Sequence, residues 1–343
     1  MNNNDPLVTI ISGYYNREDF IEDSVKSLIN QTYKNLEILI FDDCSTDNTY
    51  LRLKEFEKDP RVHIIRNKKN KGFTKSLIDT IELSKGDFIA IHGSGDFSYP
   101  ERIEKQLNLF QKDANLSAVG CEDRKVFRDG TIGKTNRWPA GDFYKNMLKG
   151  GKRPINGSHV MLRKSIYKKV GGYREFFEYA QDSDLFSRLS LVSKYDIVPE
   201  ILYQQQRHVE GSVSGDPIKR LKQIYYMNFA VECAKMRKEK GYDYIDILGK
   251  ESFIAIKKNK EITNKLSTHA IKLYLDGKVL EFEKVVQILK TQKTTFRSGF
   301  VIMVYSKMIP FYLSNFIFSF LKNLNSNSFI RELKAKLFNV NKI

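Results

Sequence analysis

The chain has 343 residues, 41% of them hydrophobic and 29% charged, enough for one domain of about 200 to 250 residues and an accessory piece. That balance excludes a disordered chain and a polytopic membrane protein, and three scattered cysteines, Cys44, Cys121 and Cys233, exclude a disulfide framework or thiolate zinc cluster and fit a reducing compartment. Net charge is +16, and residues 216–343, with 24 basic and 11 acidic side chains, hold +13 of it, which favours anionic partners or a solvated lysine-rich face.

The first five residues offer neither the basic flank nor the apolar stretch of an export signal, so a cytosolic chain is expected. Short apolar runs then alternate with helical patterns, the rhythm of βα units feeding a mostly parallel sheet. Strands are predicted at Leu7–Ile11, Leu36–Phe41, Val62–Ile65 and Phe88–Ile91, each followed by a helix. Phe20, Ile21, Val25, Leu28 and Ile29 recur at helical spacing after the first, and Ser45, Thr46 and Asp47 are capping candidates after the second. Thr74 opens the third helix, and Pro100 sits where a first-turn proline is tolerated before Ile103, Leu107 and Leu109. From about Ala118 antiparallel pieces are expected: a hairpin over Lys125–Ile132 turning at Asp129-Gly130, a strand-like Val160–Leu162, and a short helix from Lys164 to Val170 stopped by Gly171-Gly172.

After Asp216-Pro217 the pattern turns helical through residue 292, with a helical hairpin joined at Asp276-Gly277. The predicted division is therefore an α/β domain over 1–215 and a basic helical region over 216–343. Residues 298–321 are rich in aromatic and aliphatic side chains, but Lys307 and Pro310 interrupt them and make a poor membrane span. Two readings stand for this stretch: a segment lying on an anionic membrane surface, or a helix buried against its own domain.

In open α/β sheets ligands sit beyond the carboxyl ends of the strands, which directs attention to residues 12–16, 42–49, 70–75 and 93–96. The first of these loops lacks the GxGxxG of dinucleotide sites. Asp43, at the end of a buried strand, can accept hydrogen bonds from a ligand or cap the following helix, and Asp182 and Asp184 stand at the start of an amphipathic helix where capping is the alternative use.

The run Val8–Asn16, then Ser27–Tyr33, Ile40–Asp47, Lys85–Ala90, Pro100–Arg102, Gly171–Arg174, Ala180–Leu189 and Arg207–Ser214, resembles the family 2 inverting glycosyltransferases over about residues 7–215. The resemblance implies a nucleotide-diphospho-sugar transferase fold of GT-A type, an open, mostly parallel sheet flanked by helices. It implies donor contacts at Gly13, Tyr15, Asp43, Gly72, Lys75 and Asp96, with Asp43 toward the base, Tyr15 stacked on it, and Lys75 with the backbone near Gly72 toward the diphosphate. Asp182 falls on the catalytic base position, where one carboxylate deprotonates the acceptor hydroxyl. His159 falls where relatives place acceptor-pocket residues, and Trp138 is suited either to stacking on a sugar face or to core packing. His208, beside Arg207, matches a position near the diphosphate or metal.

The chain departs from the pattern at one place. Where relatives carry Asp-x-Asp-Asp, it has Gly93-Ser94-Gly95-Asp96. A divalent cation, Mg or Mn, is the candidate cofactor, held by Asp96, His208 and the diphosphate; replacement by Lys75, Arg207 and other cations, or loss of turnover, are the alternatives, and weak or dispensable metal binding ranks first. The expected activity is inverting transfer of a sugar from a nucleoside diphosphate sugar to a glycan or lipid-linked acceptor, in bacterial surface polysaccharide synthesis at the inner face of the cell membrane. The runner-up is a non-catalytic nucleotide-sugar-binding or scaffolding member. Nucleic acid is not an expected partner, because no RNA- or DNA-binding motif accompanies the positive charge.

Overall fold

The computed structural model describes residues 5–127, 129–137, 157–207, 217–255, 260–290, 292 and 294–306; Trp138, His208 and residues 307–321 lie outside them. The described residues fall into two compact units, one from Met1–Gly215 and Tyr226–Phe253, the other from Asp216–Tyr225 and Ile254–Ile343. The expected break after residue 215 therefore differs from the observed division in one segment, 226–253, which rejoins the first unit.

The strands of the first unit are β1 (Val8–Tyr14), β2 (Leu36–Asp42), β3 (Val62–Arg66), β4 (Phe88–Gly93), β5 (Phe97–Ser98), β6 (Leu116–Phe127), β7 (Ile132–Asn136), β8 (Met161–Arg163) and β9 (Lys194–Arg207). They form one sheet ordered β3-β2-β1-β4-β8-β6-β9-β5, with β7 paired to β6. β3, β2, β1 and β4 run parallel, β8 is antiparallel to both β4 and β6, and β6 runs parallel to β9. The first four strands lie where the apolar runs predict them. The 12 and 14 residues of β6 and β9 exceed the prediction, because their outer halves, Glu122-Asp123-Arg124 and Gln204-Gln205-Gln206, are polar and the β6–β9 ladder shifts register at several points.

Alternation along the strands divides the core into two layers. Val8, Ile10, Ile38, Ile40, Phe88 and Ala90 face one layer, which takes in helices α1 (Glu22–Ile29), α2 (Thr49–Lys54) and α4 (Arg102–Lys112) through Val25, Leu28, Leu53, Ile103, Leu107 and Phe110. Ile11, Leu39, Phe41, Ile89 and Ile91 face the other, covered by α3 (Phe73–Leu83), α5 (Lys164–Lys169) and α6 (Gln181–Leu189). Every residue of β2 is buried, as a central parallel strand between two helical layers requires. The expected hairpin closes with the Gly130 amide donating to the Phe127 carbonyl (2.9 Å) and the Phe127 amide to Thr131 (3.0 Å).

Helix α7 (Pro217–Lys240) leads into α8 (Tyr244–Leu248). Within the first unit, segment 226–253 is fixed by Phe229 against Phe176 (5.6 Å between ring centroids) and Tyr244 (5.8 Å), and by Asp243, which accepts from both Arg174 and Arg237 at 2.9 Å. The second unit contains the expected helical hairpin, α9 (Lys260–Leu275) and α10 (Val279–Lys290), with α11 (Phe296–Tyr305); Leu266, Ala270, Val285, Val286, Val301 and Val304 form its core. Residues 298–305 of the aromatic stretch thus belong to a helix packed within its own unit, and no helix among the described residues is long and apolar enough to cross a membrane.

Candidate active site

Parallel pairing aligns the strand ends: Tyr14 lies beside Asp42, Asp42 beside Arg66, and Gly13 beside Gly93. The loops after β1, β2, β3 and β4 therefore share one rim. The antiparallel β8 returns to it, since the Ile91 amide donates to Val160 (2.9 Å) and residues 157–159 continue beyond that point. The far end of β9 reaches it too, with Gln205 donating to Ser158 Oγ (2.8 Å) and the Gln206 amide to Asp96 Oδ1 (2.9 Å).

Asp43 is the organiser of the β2 side. Its buried carboxylate accepts from Asn67 Nδ2 (2.8 Å), the Lys71 amide (2.9 Å) and Ser76 Oγ (2.9 Å) on one oxygen and from the Gly72 amide (2.9 Å) on the other. It thus fixes the turn into α3 instead of capping the helix after Ser45; Asp42 receives the Ser45 amide. Gly72 carries φ +82° directly before α3, with open space where a side chain would project. Tyr15 is 47% exposed beside this loop's strand and available for stacking. Gly13 answers to the core: a Cβ there would lie 2.1 Å from the Phe41 ring. Lys75 is tied to Asp79 at 2.7 Å, and Lys71 shares the same carboxylate at 2.8 Å, so the pair retains one net positive charge next to the Gly72 turn.

Among the described residues the non-glycine positions with left-handed backbone are Asn16, Cys44 and Ala180, and all three belong to rim segments. Such conformations cost on the order of 1–3 kcal/mol each and gather where geometry is imposed by function. Ala180 (φ +59°) delivers the chain into α6, with Asp182 as the helix's second residue. Asp182, 6% exposed, accepts from the Ser183 amide (2.8 Å), and a Cβ on Gly157 would stand 2.7 Å from its Oδ2, so it lies directly against the segment entering β8 at the rim. Asp184 is held on another face by Arg174 Nε (3.0 Å) and Arg188 Nε and Nη2 (3.2 and 2.6 Å), while Arg188 also donates to the Val170 and Gly172 carbonyls.

His159 needs correction as an acceptor contact. Its ring has no exposed surface and sits between Cys121 Sγ (3.6 Å from Nδ1) and Asp123 Oδ1 (3.2 Å from Nε2). Burial opposes its charge, but Cys121 and Asp123 outweigh it and raise the pKa to about 9. The ring is a core element, and Ser158 is the neighbour that reaches the rim. Sequence reading gave Cys121 and Asp123 no place beside it, because they pair with it only across the sheet.

The loop after β4 differs from what a divalent cation needs. Asp96 accepts the Tyr203 hydroxyl on Oδ2 (2.8 Å) and the Gln206 amide on Oδ1 (2.9 Å). A Cβ on Gly93 would meet Asp96 Oδ2 at 2.4 Å, and a Cβ on Gly95 would meet the Cβ of Phe20 at 2.8 Å. Both positions where the family's motif has aspartates are therefore filled by other side chains. No group of three or more His, Cys, Asp or Glu side chains suited to a metal occurs among the described residues, and these residues do not fit a divalent cation, which wants several oxygen ligands.

Beneath Asp96 lies a buried polar layer. Arg102 is fully buried, donates to the Ile91 carbonyl (3.1 Å) and lies 5.3 Å from the centroid of the Tyr203 ring. Burial, reinforced by Arg102, holds His92 well below the ordinary histidine range, so it is neutral; the Asp96 carbonyl 3.1 Å from Nε2 assigns the proton to that nitrogen. Burial and the adjacent Asp96 charge push the Tyr203 phenol up, keeping it a hydrogen-bond donor. A cleft of about 200 Å³ opens beside Asp96, lined by Asp23, Gly95, Phe97, Val126, Gln204 and Gln206. Arg17 is the rim residue that sequence reading overlooked, although it directly follows Tyr15-Asn16 beyond the first strand.

Comparison with known proteins agrees with this geometry. Residues 9–171 match the glycosyl transferase family 2 model. An uncharacterized glycosyltransferase of Haemophilus influenzae is 31% identical over 246 residues, covering 66% of this chain and 76% of that one. The UDP-Glc:alpha-D-GlcNAc-diphosphoundecaprenol beta-1,3-glucosyltransferase WfgD of Escherichia coli is 28% identical over 221 residues, covering 64% and 83%. Among solved structures, the mannosyltransferase PcManGT of Pyrobaculum calidifontis, in complex with GDP-Man and Mn2+, superposes with a TM-score of 0.53 at 15% identity, covering 93% of this chain and 86% of that one. The chain belongs to glycosyltransferase family 2, on a fold of GT-A type.

Proposed function

We propose that this glycosyltransferase moves a sugar, with inversion, from a nucleoside diphosphate donor to a glycan or lipid-linked acceptor in the synthesis of a bacterial surface polysaccharide. Asp182 is the base in this reading. Its carboxylate takes the proton of the acceptor hydroxyl as that oxygen bonds to the anomeric carbon, while the bond to the diphosphate breaks on the opposite face. The observation that carries the reading is the placement of Asp182 against Gly157 at the rim shared by the loops of Tyr15, Asp43 and Asp96. Tyr15 stacks on the nucleobase, Asp43 presents a preformed carboxylate and loop to it, and Gly72 with Lys75 faces the phosphates. The name of the Escherichia coli relative, with its nucleotide-sugar donor and lipid-diphosphate acceptor, supports the same substrate classes.

The test is sugar transfer or donor hydrolysis by the native chain and Asp182→Asn. Loss of about 10²- to 10⁴-fold in turnover, with unchanged thermal melting, is expected for a general base; undiminished turnover refutes the assignment. We also propose peripheral attachment to the inner face of the membrane through the basic residues beyond 306. Deleting residues 307–343 should release the protein from anionic vesicles, and unchanged partitioning would refute the attachment.

A further inference from the structure

We infer that this chain binds the donor's diphosphate without a divalent cation, and that the guanidinium of Arg17 meets the phosphate charge in its place. This rests on the nucleotide-sugar reading above and concerns how the same crevice handles the negative charge. Arg17 lies three residues beyond β1, in the segment that the β2 loop clasps. The Asn16 amide donates to Ser45 Oγ (2.9 Å), the Arg17 amide to Thr49 Oγ1 (2.8 Å) and the Thr46 amide to Asn16 Oδ1 (2.9 Å), while Arg52 Nη1 donates to the Glu18 carbonyl (2.6 Å). Its backbone is thereby fixed before any ligand arrives, which lowers the ordering cost of binding.

The side chain is directed by Phe20, whose ring centroid lies 5.8 Å from the Arg17 guanidinium carbon. The Cβ of Phe20 also occupies the space that a side chain on Gly95 would need. The turn bearing Arg17 is therefore packed onto the loop from which both metal-binding aspartates are missing. Arg17 is half-buried and forms no ion pair with a carboxylate among the described residues. Burial lowers the Arg17 guanidinium pKa from its ordinary value, and the charge of Asp96 opposes that lowering. A planar guanidinium suits two phosphate oxygens at once, and it remains charged at any working pH. An aspartate at position 93 would require Asp96 to shift, and one at position 95 would meet Phe20 from a left-handed backbone (φ +83°) that suits glycine.

The experiment is calorimetric titration of the full chain with UDP, GDP, ADP and CDP, each in EDTA and again with Mn2+ or Mg2+. The nucleoside diphosphate that binds should do so with the same affinity in EDTA as with metal. Arg17→Ala should weaken it by about ten- to a hundredfold, the range for a lost charge-assisted hydrogen bond, and leave binding of the corresponding phosphate-free nucleoside unchanged. Arg17→Lys should recover part of the loss, and both variants should melt with the native chain. Binding that requires Mn2+ or Mg2+, or native affinity in Arg17→Ala, overturns the inference while leaving the donor reading intact. If none of the four binds under any condition, the donor reading itself falls, and the inference with it.

Discussion

Removing the carboxylate of Asp184 should unfold the first unit at a much lower temperature, whereas Asp182→Asn, two residues away, should not. A helix advances about 200° over two residues, so the two side chains cannot share an environment. Asp184 is 1% exposed and accepts from two arginines, one of which, Arg188, is itself 3% exposed. Among the described residues, Asp184→Ala leaves Arg188 with the Val170 and Gly172 carbonyls and Arg174 with Asp243 and the face of Phe177. Breaking a buried pair by deleting one partner costs about 3–5 kcal/mol, because the remaining charge stays desolvated. At roughly 2–4 °C per kcal/mol for a unit of this size, the melting temperature should fall by about 6–20 °C. Thermal unfolding followed by circular dichroism measures this directly. Adding Arg188→Met to Asp184→Ala should restore part of the loss by removing the stranded charge. A melting temperature within about 2 °C of the native value for Asp184→Ala would refute the ion-cluster reasoning.

Gly157→Ala should lower turnover far more than stability, since the new Cβ would stand 2.7 Å from Asp182 Oδ2 and 2.9 Å from its Cβ and so push the carboxylate from its place; steady-state rates beside a melting curve separate the two effects. Gly13→Ala should do the reverse, because its Cβ would enter the Phe41 ring; overpacking costs about 1–3 kcal/mol and reads out in denaturant unfolding. His159, with its pKa raised to about 9 in the fold, contributes stability that is complete below the unfolded-state value near 6.5 and is lost as pH rises through 9. The contribution is at most about 3 kcal/mol, so melting should decline between pH 7 and 9.5, and His159→Gln should flatten that decline.

Local chemistry made much of this protein legible from its residues alone. The run Leu36–Phe41 reads as a strand buried on both faces, and the loops carrying Asp43 and Gly72 fall on one rim because parallel strands align their carboxyl ends. The loss of acidic side chains at Gly93 and Gly95 was visible too. What fills those two places was not: Asp96 turns back over Gly93, and Phe20 arrives from the β1 loop, contacts with no periodicity or spacing to announce them. The burial of His159 beside Cys121 and Asp123, the return of residues 226–253 to the first unit, and the placement of Asp182 against Gly157 likewise depend on pairings between distant segments. Periodicity records which side of an element seeks an apolar neighbour, whereas the identity of that neighbour, and any charge left beside it, is set only when the layers close.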